Sequence, residues 1–224
     1  MTSADDPQPA DHQRELIDLM TEAGVLRFGR FVTKSGRESP YFVNTGLYRT
    51  GDQIRRLGRL YARAILERMG TGFDVLFGPA YKGIPLAVTT AVALAELGHD
   101  VAYCFNRKEA KDHGEGGVLV GHELVDGDRV LIVEDITTAG TAVRDVVPLL
   151  RAQADVELVG MVVSVDRCER GLDDRSALQA LAQEFDMVAF AIVTVHEVLA
   201  LMDLPDETRA AMDAYLARYG AAPS

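Results

Sequence analysis

From residue 70 onward the chain repeats one unit, a short apolar run followed by a helical stretch, and this repeat constrains the fold more than any other feature. FDVLFGP, VAYCF, DRVLIVED, ELVGMVVSVD and MVAFAIVTV are of strand length, and several are continuous and rich in Val and Ile rather than alternating. Strands of that kind are buried on both faces, as in a parallel sheet covered by helices. Residues 82–97, 141–152 and 176–184 carry helical patterns between them. The predicted class is α/β, with a central, mainly parallel five-stranded sheet flanked by helices.

Residues 1–10, rich in Pro, Asp and Ser, are expected to form a disordered tail. Residues 11–224 then read as one domain, with a small appendage over 11–50 and a core from about 51 to 224. Leu16, Ile17, Leu19 and Met20 make a helical stripe closed by Gly24. Short strands are predicted at 28–33 and 41–44, and a helix over 52–69 between Gly51 and Gly70. Residues 106–122, with four glycines, fit neither pattern and are predicted to be a loop. Loops that long inside a compact domain are usually functional or disordered.

Charge excludes some functions. Lys and Arg number 23 against 34 Asp and Glu, a formal charge of −11, which argues against binding nucleic acid or an anionic membrane through the general surface. The balance is uneven, with eleven Lys and Arg against four acids between residues 25 and 82, a basic region suited to a small polyanion. The first residues lack a secretory pattern, and the longest uncharged apolar stretch, Gly83 to Ala95, is too short to span a bilayer. Cys104 and Cys168 lie far apart without CxxC spacing, the usage of a reducing cytosol, so both are expected to be free thiols of a cytoplasmic protein. His12, His99, His122 and His196 show no metal-ligand spacing.

The strongest chemical signal is VLIVEDITTAGTA at 130–142, where a buried strand ends in Glu134 and Asp135 and a Thr/Gly-rich turn leads into a helix. In an open parallel sheet, ligands bind in the crevice at such strand ends. Thr137, Thr138, Ala139, Gly140 and Thr141 would aim N–H groups and hydroxyls at a phosphate on the helix N-terminus. The two carboxylates cannot serve that phosphate; they suit sugar hydroxyls or a metal.

This segment resembles the phosphoribosyl pyrophosphate (PRPP) signature of type I phosphoribosyltransferases. FVTKSGRESPYF, LFGPAYKGIP, YCFNRKEAKDHGEGG and SVDRCERG, in that order, are similar to bacterial orotate phosphoribosyltransferases from about Arg14 to the C-terminal helix. The resemblance implies the type I phosphoribosyltransferase fold, with residues 11–50 forming most of a small hood. It implies transfer of the phosphoribosyl group from PRPP to orotate in UMP biosynthesis, and Mg²⁺ held mainly through PRPP and water rather than by direct protein ligands. It also implies a homodimer whose catalytic loop acts in trans.

The same resemblance assigns PRPP to Lys34, Tyr81, Lys82, Arg107, Lys108, Lys111, His113 and the run Glu134, Asp135, Ile136, Thr137, Thr138, Ala139, Gly140, Thr141 and Ala142. Orotate falls to Phe42, Val43, Thr138 and Arg167, although many relatives carry a second aromatic where this chain has Val43. Lys111 is expected to stabilise the departing diphosphate, Asp135 to assist as a base toward a ribose hydroxyl, and the Ala80–Tyr81 peptide to be cis.

These assignments make chemical sense. Glycines around Lys82 let the backbone approach an anion while the lysine supplies charge. Tyr41 and Phe42 with Lys34 suit a flat, carboxylated pyrimidine. Arg167 offers a planar fork for a carboxylate, unless it pairs at the surface with Asp166 or Glu169. By composition alone, Arg107, Lys108, Lys111 and His113 among Glu109, Asp112 and Glu115 form a solvated, charge-balanced loop. The resemblance makes that loop a lid hinged at Gly114, Gly116 and Gly117, excluding water that would hydrolyse a ribosyl cation. A purine or uracil enzyme would share the PRPP loop without TKSGR, NRKEAKDHG and DRCERG together. A ligand-sensing regulator would lose the lid cations or gain a basic DNA-binding segment.

Overall fold

The computed structural model describes residues 11–33, 36–111, 117–171 and 173–221, so the predicted tail over 1–10 lies outside the described residues. Helix α1 (Asp11–Glu22) buries Leu16, Ile17, Leu19 and Met20, the stripe the spacing predicts. An antiparallel hairpin follows, β1 (Leu26–Val32) and β2 (Glu38–Val43). Helix α2 (Gly51–Met69) starts with a reciprocal capping box between Thr50 and Gln53. The chain continues through β3 (Val75–Gly78), α3 (Gly83–Glu96), β4 (Ala102–Lys111), β5 (Gly117–Gly121), β6 (Arg129–Val133) and α4 (Thr141–Arg151). It ends with β7 (Glu157–Asp166), α5 (Ala177–Phe185), β8 (Val188–Thr194), α6 (Val195–Leu201) and α7 (Asp206–Tyr219).

The main sheet has the order β5-β4-β3-β6-β7-β8. The five strands expected from the Val/Ile runs are parallel to one another, and β5 adds a sixth, antiparallel on the outer side of β4. The segment 106–122 is therefore not simply a loop. β4 continues through Asn106 to Lys111, and β5 returns beside it with Asn106 opposite Leu119 and Cys104 opposite Gly121. Backbone pairing forms this ribbon, and Lys108 is already exposed, so no apolar alternation marks it in the sequence.

Successive strand residues point to opposite faces. Leu76, Leu131, Val133 and Val162 join Leu16, Ile65, Leu94 and Met212 in one apolar cluster, to which the hairpin adds Leu26, Tyr41 and Val43. Phe77, Ile132, Met161 and Val163 pack with Val143, Val147 and Leu181 on the other face. Covering both faces explains the continuous apolar runs, each large side chain contributing about 1.5–3 kcal/mol on full burial. α7 buries only Met212 and Tyr215, too sparse a stripe for periodicity to reveal. Both cysteines are free, and no helix among the described residues is long and apolar enough to cross a membrane.

The topology sets the position of the site. From β3 the chain crosses to β4 on one side, whereas β6 lies on the other, so the carboxyl ends of β3 and β6 flank the point where strand order reverses.

Candidate active site

β6 runs directly into Glu134 and Asp135, each 8% exposed. Their main chain is held from behind, where Tyr61 donates its hydroxyl to the Glu134 carbonyl at 2.7 Å and Ser164 Oγ donates to the Asp135 carbonyl at 2.6 Å. Across the switch point, Lys82 Nζ lies 2.9 Å from Asp135 Oδ2 and 3.1 Å from Thr45 Oγ1, while the Thr45 hydroxyl donates to the same Asp135 oxygen. Burial opposes ionisation of both acids. At Asp135 the hydrogen bonds from Thr45 and Lys82 outweigh it, holding the carboxyl below the usual range. At Glu134 burial and the neighbouring Asp135 charge together push the carboxyl up. The pair is thus divided, Asp135 readily ionised and Glu134 prone to keep its proton.

Two glycines place Lys82. A Cβ on Gly78 would lie 2.2 Å from the Gly83 carbonyl oxygen, and one on Gly83 would lie 2.7 Å from Pro79 Cδ, so this turn closes only without side chains. The Ala80–Tyr81 peptide is cis, and the Ala80 amide donates to Asn106 Oδ1 at 2.8 Å. Tyr81 is exposed, with Lys108 Nζ 5.0 Å from its ring centroid, so the ends of β3 and β4 bring these two together. Arg107 Nη1 lies 3.5 Å from the Gly117 carbonyl at the start of β5. Lys34, His113, Gly114 and Gly116, and the side chain of Lys111, lie outside the described residues.

After Asp135, residues 136–140 turn into α4. Gly140 sits at φ +72°, a left-handed conformation that suits glycine, and caps the helix with no side-chain hydrogen bond. Thr138, Ala139, Thr141 and Ala142 are exposed, with Thr137 and Gly140 buried beneath them and Ile136 half-buried. Arg144 Nη1 donates to the Ala139 carbonyl at 2.6 Å and ties the turn to the helix. Uncapped amides and the helix field together suit a phosphate.

Arg167 follows β7 and is buried. Its Nε and Nη2 donate to Glu169 Oε1 at 3.0 and 2.6 Å, and Tyr41 and Tyr215 donate their hydroxyls to that oxygen at 3.2 and 3.0 Å. Pairing with Glu169 thus occurs, but in the interior rather than at the surface. Tyr41, grouped with Phe42 by sequence, lies instead behind Arg167. Phe42 stacks on Phe31 with ring centroids 5.4 Å apart. The Val43 side chain joins the apolar core, because neighbours on a strand face opposite ways.

The structure therefore gathers Lys82, Glu134, Asp135 and the 136–142 turn. Sequence reasoning missed Thr45, Tyr61, Asn106, Ser164 and Tyr215, whose partners lie far away along the chain. Of the cluster residues, Asn106, Ser164 and Glu169 stood inside recognised motifs.

An acid pair ending a parallel strand, a Thr/Gly turn into a helix and a lysine across the switch point define a phosphoribosyltransferase. The family model for a phosphoribosyl transferase domain matches residues 45–197. The chain is 52% identical to the orotate phosphoribosyltransferase of Clostridium beijerinckii, over 94% of this chain and 98% of that one. It is 50% identical to that of Lachnoclostridium phytofermentans, over 93% and 97%. The crystal structure of orotate phosphoribosyltransferase from Francisella tularensis matches with a TM-score of 0.83 at 35% identity, covering 92% of this chain and 100% of that one. The chain belongs to the orotate phosphoribosyltransferase family.

Proposed function

We propose that the crevice at the carboxyl ends of β3, β4, β6 and β7 is where this chain carries out its family's reaction. PRPP and orotate give orotidine 5′-monophosphate and pyrophosphate, a step of pyrimidine nucleotide synthesis. The observation that carries the reading is the Lys82–Asp135 ion pair. A carboxylate for ribose hydroxyls stands beside a cation for diphosphate, as adjacent substituents on PRPP require. Residues 11–224 act as one domain, with a hood over 11–50.

In this reading the 5′-phosphate lies on Ile136, Thr137, Thr138, Ala139, Gly140, Thr141 and Ala142. Glu134 and Asp135 fix the ribose hydroxyls, and Asp135 assists as a base toward one of them. Lys34 and Tyr81 contact PRPP, and Lys82, Arg107, Lys108, Lys111 and His113 receive its diphosphate. Orotate meets Phe42, Thr138 and the backbone of Val43, with its carboxylate on Arg167. The Nε–Nη2 edge of Arg167 is engaged by Glu169, leaving Nη1 for this contact.

Orotate's ring nitrogen displaces diphosphate at the anomeric carbon through an oxocarbenium-like state, so catalysis consists mainly of positioning and charge stabilisation. As the bond breaks, Lys82 turns from Asp135 toward the growing charge, and Lys111 completes its stabilisation. Glu134 and Asp135 are hard oxygen donors that fit Mg²⁺. No third His, Cys, Asp or Glu groups with them among the described residues, and Asp135 is already paired, which suits an ion carried by PRPP and its waters. When bound, Mg²⁺ would neutralise part of the diphosphate charge. Family resemblance supports a homodimer with the loop acting in trans, and cysteine usage supports a cytoplasmic location.

Steady-state kinetics test this division of labour. Arg167→Met should raise KM for orotate about 10- to 100-fold, the worth of a charge-assisted hydrogen bond, and leave KM for PRPP near wild type. Lys82→Met should do the reverse. An unchanged orotate KM in Arg167→Met would remove Arg167 from the base subsite.

A further inference from the structure

The Lys82–Asp135 pair has a third member. Thr45 begins the short 3-10 turn Thr45–Leu47, whose N-cap Asn44 accepts from the Gly46 amide at 3.2 Å. The Asn44 amide donates to the Val25 carbonyl at 2.9 Å, so backbone bonds fix the turn to the N-terminal hairpin. From there Thr45 Oγ1 donates to Asp135 Oδ2 and accepts from Lys82 Nζ. A hydroxyl can donate and accept at once, whereas a methyl group can do neither.

We propose that Thr45 is a positioning residue for PRPP, its hydroxyl holding the Asp135 carboxylate against Lys82 so that the ribose-binding acid and the diphosphate-binding cation are preset before substrate arrives. When Lys82 leaves to follow the diphosphate, Thr45 stays as a side-chain donor, fixed to the hairpin, that keeps Asp135 oriented and ionised. The groups facing Asp135 are Lys82 from the turn before α3, Glu134 on its own strand end and Tyr61 from α2. Lys82 is the cation among them, so once it moves away the hydrogen bonds from the Thr45 hydroxyl and the Glu134 side chain are left to oppose burial. The inference rests on the reading that this crevice binds PRPP.

Three variants test it. Thr45→Val keeps the shape and removes the hydroxyl, Thr45→Ser keeps the hydroxyl, and Lys82→Met reports on the crevice itself. Thr45→Val is expected to lower kcat/KM for PRPP about 10-fold, to move the acid limb of that pH profile upward and to leave KM for orotate unchanged. Thr45→Ser should restore both the rate and the limb. A Thr45→Val enzyme within twofold of wild type and with an unmoved limb would overturn the proposal, as would equal impairment of Val and Ser variants, which would indicate packing. If those results accompany a large loss in Lys82→Met, Thr45 alone is misassigned. If Lys82→Met also leaves PRPP kinetics unchanged, the reading of the crevice fails and the proposal with it.

Discussion

The guanidinium of Arg167 lies 4.7 Å from the ring centroid of Tyr41, and both side chains donate to one oxygen of Glu169. Tyr215 from α7 donates to the same oxygen, so the hairpin, the end of β7 and the C-terminal helix meet on a single carboxylate. Burial pushes the Tyr41 hydroxyl up, so it remains a neutral donor. The buried arginine is balanced by Glu169 and covered by an aromatic face, offsetting the cost of desolvating it.

Removing parts of this cluster should have graded effects. Tyr41→Phe deletes one of several donors to Glu169 and should cost about 1 kcal/mol. Tyr41→Leu also removes the ring beneath Arg167 from a fully buried position and should cost about 3 kcal/mol. Urea unfolding measures both, and equal midpoints for the two variants would contradict the role given to the ring.

Glu134 should make stability depend on pH in an unusual direction for an acid. Burial raises its folded-state pKa above the ordinary 4.5. Between those two values the folded chain holds more protons than the unfolded one, so its contribution to stability is present below 4.5 and is lost as pH rises toward the folded value. Glu134→Gln stays neutral throughout. Its melting temperature relative to wild type should therefore increase from pH 5 to pH 8, and a constant or falling difference would contradict this ionisation.

The turn carrying Lys82 should tolerate no side chain at Gly78. The 2.2 Å approach to the Gly83 carbonyl means that Gly78→Ala must shift backbone, at a cost of roughly 1–3 kcal/mol from overpacking. Activity should fall further than stability, because the displaced segment bears Lys82. A variant with wild-type kinetics would show that the turn has slack.

Lys111→Ala should lower turnover by orders of magnitude while PRPP still binds, as followed by single-turnover kinetics and calorimetric titration. If the loop reaches the neighbouring site, mixing this variant with Asp135→Asn should form hybrid dimers that regain one working site. Without complementation, the loop acts in cis.

Legibility in the sequence followed the range of the physical signal. The five parallel strands could be read because burial on both faces leaves continuous apolar runs, whereas β5 depends on backbone pairing and α7 on two buried side chains. Glu134, Asp135, Lys82 and Arg167 could be read because each lies just after a strand inside a contiguous motif. Thr45, Tyr61 and Ser164 act on strand ends distant in sequence, and no local pattern records that. The basic excess over 25–82 has a similar limit. In space, Arg56, Arg59 and Arg63 pair with Glu22, Glu96 and Glu15 from outside that segment, so much of the local charge is cancelled, while Lys82 faces Asp135 in the crevice.

The most direct measurement is the orotate absorbance of a solution containing the purified protein and Mg²⁺, followed before and after PRPP is added, with uracil and hypoxanthine as alternative bases. Orotate should be consumed only after PRPP is added, with stoichiometric release of pyrophosphate, and neither other base should react at a comparable rate. PRPP-dependent consumption of uracil or hypoxanthine in preference to orotate, or no reaction with any of the three, would contradict the account.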